Sequence, residues 1–250
     1  MRPVVLVHGF ACDHTDWRAQ VDYLSRKGAR TFAPDLRGHG ANPAPAAECS
    51  IETFGADIAA LLEKNDLRDA LLVGHSMGCR VVLQAFLDAP GRVGALALVD
   101  GSWLGSGDPE GVERRARDAV VAAGFEKFAQ GMFDAMFLAP SALSGAIVAR
   151  AKKLPAEVGT ALFPRMARWD AANTEQTLPK IKVPLLVIQS TYLNPQRVRV
   201  ALKPGDTTPW LDLVRRSVPQ ARIEIVSGVG HFPQLEASEK VNALLSGLTT

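Results

Sequence analysis

Ser76 stands in Gly74-His75-Ser76-Met77-Gly78, directly after the apolar run Ala70-Leu71-Leu72-Val73 and before Val81, Val82, Ala85 and Phe86, which recur at helical spacing. A serine in Gly-x-Ser-x-Gly between a buried strand and a helix sits on a sharp turn with its hydroxyl presented outward. The glycines are required because bulky neighbours would strike the adjoining strand and helix. The helix start behind the serine offers free N–H groups that favour negative charge. A serine hydroxyl is a weak nucleophile and needs an adjacent base. Of the five histidines, His231 suits that role, because Gly228, Gly230 and Pro233 put it in a loop between the last apolar run and the closing helical stretch. His14 reads as a surface residue and His39 as a turn residue with a local hydrogen bond. His8 and His75 flank turn glycines and read as loop-ordering or pocket-lining residues. A carboxylate is then needed to hold the imidazole in the correct tautomer. Asp100 ends the apolar run 93–99, and Asp206 lies in Gly205-Asp206-Thr207-Thr208-Pro209. Strand-end carboxylates also serve simply to accept loop N–H groups, which is the reading for Asp35. Backbone N–H groups of Met77 and Phe10 would face a developing oxyanion.

These groups need a scaffold. Val4-Val5-Leu6-Val7 reads as a buried parallel strand that ends at His8-Gly9-Phe10. Residues 13–27 carry helical periodicity through Trp17, Val21 and Leu24, closed by Gly28. A strand at 29–33 follows, then the Gly- and Pro-rich loop from Leu36 to Pro45. Ser50 caps a helix to about Lys64, ahead of the Ser76 strand and helix. With the strand at 93–99, the alternation predicts βαβ units and a parallel sheet covered on both faces. From 101 to 179 the rhythm changes to helices, expected at 110–128, 133–137, 141–151 and 158–169. That stretch is too long for a simple connection and reads as a helical cap over the carboxyl edge of the sheet. Sheet rhythm resumes at 183–188. A long loop is expected at 189–209, a helix at 210–217, a strand at 221–226 and a last helix at 238–248.

Composition excludes several classes. A net charge of +2 without a Lys/Arg run argues against nucleic acid or an anionic membrane surface as partner. Arg114, Arg115 and Arg117 are interrupted by Glu113 and Asp118 and read as a solvated helix face. Three scattered cysteines, Cys12, Cys49 and Cys79, suit neither a disulfide framework nor a metal site and suggest a reducing, cytoplasmic setting. The opening apolar run is a strand rather than a signal-peptide core or a membrane span. The expected partner is a small-molecule substrate, with no metal or cofactor, and a homodimer is possible.

Taken together, His8-Gly9-Phe10 with Trp17, Asp35-Leu36-Arg37-Gly38-His39-Gly40, the Ser76 pentapeptide and Gly228-Val229-Gly230-His231-Phe232-Pro233 with Glu236 resemble the α/β-hydrolases. The resemblance covers nearly the whole chain. It implies a core formed by 1–100 and 180–250, with a helical cap at 101–179 inserted between the family's strands six and seven. The family usually opens with an antiparallel hairpin that this chain lacks, so a small sheet of about six parallel strands is expected. The acid in most such enzymes follows strand seven, but Gln189-Ser190-Thr191-Tyr192-Leu193-Asn194 contains no carboxylate. Haloalkane dehalogenases and cofactor-free ring-cleaving dioxygenases resemble this pattern, with the acid after strand six. That favours Asp100 over Asp206. The implied activity is hydrolysis of a carboxylic ester or lactone through an acyl-enzyme on Ser76. Trp103, His75 and Phe232 are expected in an uncharged pocket, with Phe10, Met77, Trp169 and Trp210 as further candidates. Arg80 or an arginine of the cap is the available cation for a substrate carboxylate. A carbon–carbon bond hydrolase, a cofactor-free dioxygenase acting on a hydroxyquinolone-like ring and a non-catalytic ligand-binding protein are the alternatives. A haloalkane dehalogenase is disfavoured because Ser76 holds the place of its aspartate.

Overall fold

The computed structural model describes residues 1–194 and 198–250. Strands β1 (Val4–Val7), β2 (Thr31–Phe32), β3 (Ala70–His75), β4 (Val93–Val99), β5 (Leu185–Gln189) and β8 (Arg222–Ile225) make one sheet in the order β2-β1-β3-β4-β5-β8. Every pairing in it is parallel. The apolar runs of β1 and β3 are fully buried, as strands covered on both faces must be. Alternate residues serve opposite faces. Val5, Val7, Leu72 and Leu98 join the core under α2 (Ile51–Lys64) and α3 (Met77–Asp88). Val4, Leu6, Leu71 and Val99 join the core under α1 (Arg18–Arg26) and α11 (Ser238–Ser246).

The strand order reverses between β1 and β3, so the loops leaving their carboxyl ends part from each other. Ligands of open α/β sheets bind in such a crevice. Gly9-Phe10 leaves β1 there, and Ser76 leaves β3.

Between β4 and β5 lies the helical region, α4 (Pro109–Ala123), α5 (Phe125–Asp134), α6 (Ala142–Ala151), α7 (Ala156–Trp169) and α8 (Glu175–Thr177). The expected single helix at 110–128 is broken at Gly124, whose φ of 75° no helix accommodates. The helix expected at 133–137 is instead the end of α5 and a turn. Ser141 caps α6, its side chain accepting from the Ser144 amide. Arginines fasten this region to the sheet side. Arg150 reaches Asp13 and Asp16, and Arg165 donates to the carbonyls of Ala46 and Cys49. Arg114, Arg115 and Arg117 are exposed.

The loop expected at 189–209 is a correction. It contains an antiparallel hairpin, β6 (Thr191–Leu193) and β7 (Arg199–Ala201), detached from the main sheet. Residues 195–197 of that stretch lie outside the described residues. Its strands are too short and too polar for a period of two to stand out. The remaining helices are α9 (Pro209–Ser217) and α10 (Pro233–Glu236). Among the described residues no helix is long and apolar enough to cross a membrane.

Candidate active site

The Ser76 turn is a steric consequence of its glycines. A Cβ on Gly74 would lie 2.2 Å from the Gly78 carbonyl oxygen, and one on Gly78 would lie 2.3 Å from that of Val7. Without side chains there, β1, β3 and α3 approach closely enough to bend the chain sharply at Ser76. The serine adopts φ 52°, ψ −110°, a conformation costly for a non-glycine residue. Its amide is tied to the Val99 carbonyl at 2.9 Å.

Three side chains meet beside this turn. His231 Nε2 lies 2.9 Å from Ser76 Oγ, and His231 Nδ1 lies 2.6 Å from Asp100 Oδ2. Asp100 is also held at a positive φ, 43°. It is enclosed, with 1% of its surface exposed, and every lone pair on it is used. Oδ1 accepts the amides of Ser190 and Thr191 at 2.7 and 2.9 Å, and Oδ2 accepts Thr191 Oγ1 at 2.5 Å. Burial alone would push this carboxyl up. Hydrogen bonding and charge from His231, the Arg199 guanidinium and the Thr191 hydroxyl outweigh it, so the carboxyl lies below the usual range. An ionised carboxylate this close to Nδ1 requires a proton on Nδ1, which leaves Nε2 as an acceptor facing Ser76. Asp206 lies elsewhere. It is exposed, and its Oδ2 accepts the Lys203 amide at 2.8 Å.

The loops around this line are organised by two more histidines. His75 Nε2 donates to the His231 carbonyl at 2.7 Å, and its ring packs 4.9 Å from those of His231 and Phe232. His8 accepts the Leu36 amide on Nε2 at 3.0 Å and donates from Nδ1 to the Gly9 carbonyl at 2.8 Å. That bond orients the loop carrying Phe10. Burial lowers both histidines to about 3, so both stay neutral. Among the described residues, no acceptor engages the Phe10 or Met77 amide. Asp35 accepts the amides of His14 and Ala41 and the His14 ring, which makes it an organiser of its own loop. His39 bonds the Arg37 carbonyl.

The expected pocket residues separate. Trp103 is half-buried just past Asp100, and its indole nitrogen is enclosed without a partner among the described residues. Phe232 is buried, stacked 5.2 Å from Phe137. Phe10 lies under the helical region, edge-on to Phe125 and Phe163. Trp210 is buried against Gly101. Trp169 is no pocket residue. It is fully buried and donates to Gln84 Oε1 at 2.8 Å, tying α7 to α3. Nor is Arg80 available to a substrate. It is buried and bound to Asp170 Oδ2 at 2.5 Å, the Ser102 carbonyl at 3.0 Å and the Ser76 carbonyl at 3.2 Å.

Sequence reasoning missed the residues that hold Asp100. The stretch after β5, which has no carboxylate, supplies donors instead: two amides and the Thr191 hydroxyl. A second carboxylate there would have repelled Asp100. The consecutive hydroxyl residues Ser190-Thr191 at a strand end were the available signal. Arg199 was also missed. Its Nη1 lies 2.7 Å from Thr191 Oγ1, 3.2 Å from His231 Nδ1 and 3.8 Å from Asp100 Oδ2. Nothing in the local sequence distinguishes it from a surface arginine.

The arrangement can move a proton from a serine hydroxyl to an imidazole backed by a buried carboxylate, beside two free amides. Comparison with known proteins agrees with the scaffold. A Synechocystis sp. protein provisionally named a non-heme chloroperoxidase is 26% identical over 261 residues, covering 98% of this chain and 90% of that one. A non-heme chloroperoxidase of Streptomyces lividans is 41% identical over 98 residues, a local match of 39% of this chain and 36% of that one. Among solved structures, an esterase from Exiguobacterium antarcticum superposes with a TM-score of 0.80 at 21% identity, covering 100% of this chain and 92% of that one. Est816, an N-acyl homoserine lactone degrading enzyme, does so with 0.78 at 24% identity, covering 99% and 93%. At such identities the structural likeness is one of fold. The family model described as alpha/beta hydrolase fold matches residues 2–238, and the chain belongs to that family.

Proposed function

We propose that the protein is a serine hydrolase that cleaves a carboxylic ester or lactone of a small to medium, largely apolar substrate through an acyl-enzyme. The observation that carries this reading is the continuous line Ser76 Oγ–His231 Nε2 at 2.9 Å and His231 Nδ1–Asp100 Oδ2 at 2.6 Å. Ser76 attacks the carbonyl while His231 takes its proton. Asp100 keeps the proton on Nδ1 and stabilises the imidazolium. The Met77 and Phe10 amides receive the oxyanion, each such donor contributing about 3–4 kcal/mol in the transition state. The imidazolium passes that proton to the departing alkoxide as the acyl-enzyme forms; neutral His231 then takes a proton from water as the water attacks the acyl carbonyl, and returns it to Ser76 Oγ as the acid leaves. Residues 101–179 act as the cap over this site, and Phe10, Trp103 and Phe232 supply its apolar wall. The consumption of Arg80 by Asp170 supports an uncharged ester or lactone over a free carboxylate. The fold likeness to an esterase and to a lactone-degrading enzyme is consistent with this choice.

The test is incubation with p-nitrophenyl acetate and butyrate, with labelling by a fluorophosphonate. Turnover and stoichiometric labelling are expected, and both should vanish in Ser76→Ala without loss of fold. A wild-type chain that neither turns over nor labels would overturn the reading.

A further inference from the structure

The hairpin after β5 carries a charge whose placement the hydrolase reading does not require. Strand alternation turns Val198 and Val200 outward, 56% and 43% exposed, and turns Arg199 inward, its side chain only 13% exposed. The register sets Arg199 opposite Leu193 and Ala201 opposite Thr191, and the Leu202 amide closes onto the Ser190 carbonyl at 2.9 Å. The hairpin is thereby folded back onto the residues that grip Asp100.

The contact between Arg199 and His231 is not a hydrogen bond. Nδ1 already gives its proton to Asp100 Oδ2 at 2.6 Å, and a guanidinium has no acceptor. Two donors therefore meet at 3.2 Å, a positive charge against the N–H of the base. The opposite tautomer would let Nδ1 accept from Arg199, but its lone pair would then face the ionised Asp100. The same guanidinium donates to Thr191 Oγ1 at 2.7 Å, and that hydroxyl donates to Asp100 Oδ2 at 2.5 Å.

Resting on Ser76 and His231 as nucleophile and base, we propose that Arg199 is a positioning residue of this site, bracing the Thr191 hydroxyl against Asp100 and holding a fixed positive charge against the Nδ1 side of His231. The bracing keeps Asp100 aimed at the ring. The charge opposes a second positive charge on the imidazole, so the free enzyme keeps its base neutral into more acidic solution.

The other groups facing His231 do not duplicate this. Asp100, from the end of β4, favours the protonated ring. His75, from the end of β3, gives its Nε2 proton to the His231 carbonyl and is neutral. Arg80, from α3, acts in the same direction as Arg199 but less, with Asp170 Oδ2 2.5 Å from its guanidinium. Glu236, from α10, accepts the amides of Gly230 and Phe232. The turn after α5 offers the Met136 carbonyl to the His231 amide. Burial and Arg199 are the largest influences holding His231 below its ordinary value, against Asp100.

The experiment is the rate of fluorophosphonate inactivation against pH for the wild type, Arg199→Gln and Arg199→Lys. Glutamine can still donate to Thr191 but carries no charge. Its acidic limb should move up by about one pH unit, and lysine should return it toward the wild-type position. A folded R199Q chain whose rate falls equally at every pH, with the limb unmoved, overturns the inference and leaves Arg199 a structural residue. A histidine-labelled NMR titration of the unmutated chain covers failure of the variants to fold. His231 should ionise below about 6.5, and ionisation at or above that value overturns the inference. A wild type that is not labelled at all counts against the hydrolase reading, while a His231 that titrates no lower in the wild type than in Arg199→Gln still overturns the Arg199 inference.

Discussion

Two buried aspartates lie on either side of the Ser76 turn, each with an arginine, and they behave in opposite ways. Asp100 sits 3.8 Å from Arg199 and takes donors from His231, Thr191 and two backbone amides. Asp170 sits 2.5 Å from Arg80 and takes the Leu104 amide and the Thr174 hydroxyl. The closer ion pair belongs to the less acidic group. Burial pushes the Asp170 carboxyl up in spite of Arg80, whereas the crowd of donors holds Asp100 down. Four hydrogen bonds together with the charges of His231 and Arg199 outweigh burial at Asp100, whereas three bonds and Arg80 do not outweigh it at Asp170. The partners also differ in kind. Asp100 spends a bond on a movable imidazole. Asp170 spends its bonds on fixed groups, and through Arg80 it ties the helical region to the carbonyl of Ser76 itself.

This contrast predicts an activity defect on one side and a stability defect on the other. The largest effect is expected for Asp100→Asn, which leaves the packing but lets His231 adopt the wrong tautomer. Ester turnover per folded molecule should fall about ten-thousandfold, beyond whatever stability is lost as Arg199 and one buried donor lose the carboxylate. Asp206→Asn should stay within about twofold of wild type; the reverse outcome would exchange their roles. Next comes Asp170→Asn, which strands the buried Arg80 charge. Unfolding free energy should fall by about 3–5 kcal/mol, read by urea denaturation, with the residual turnover per folded molecule changed far less. A D170N chain of wild-type stability but no turnover would erase the distinction.

A further effect, spread over pH, is carried by two buried histidines, His75 beside His231 and His8 beside Leu36. His75 is held at about 3 in the folded chain, against about 6.5 when unfolded. Between those values the unfolded chain binds the extra proton, so stability must fall as pH falls. The slope is about 1.4 kcal/mol per pH unit at most for this group. His8 adds a similar amount. Urea midpoints measured between pH 7 and pH 5 should drop accordingly, and His75→Asn should flatten the slope if that side chain still packs against Phe232.

Much of the site was legible in the chain because its parts are local. Gly74 and Gly78 must lack side chains for β1 and α3 to pass at Ser76, and that requirement lies within five residues of sequence. The flanking Gly228, Gly230 and Pro233 mark His231 as a loop residue for the same reason. Alternation of apolar runs and helical periods also sets the parallel sheet. The boundaries in the helical region were less legible. Gly124 ends α4 within a continuous helical pattern, and local periodicity does not reveal whether a glycine there is tolerated or breaks the helix.

The sequence by itself determined the turn that presents Ser76, the loop that carries His231 and the layered scaffold between them. Only the tertiary structure decided which carboxylate faces the histidine. Asp100 and His231 are 131 residues apart and meet because β4, β5 and β8 are neighbours in the sheet. The same holds for Arg80 with Asp170, 90 residues apart, and for Arg199, delivered by a hairpin too short to announce itself. Steric demands of a turn are paid out within a few residues and leave a local signature. A buried charge finds its partner through strand order and packing, which no short stretch of residues encodes.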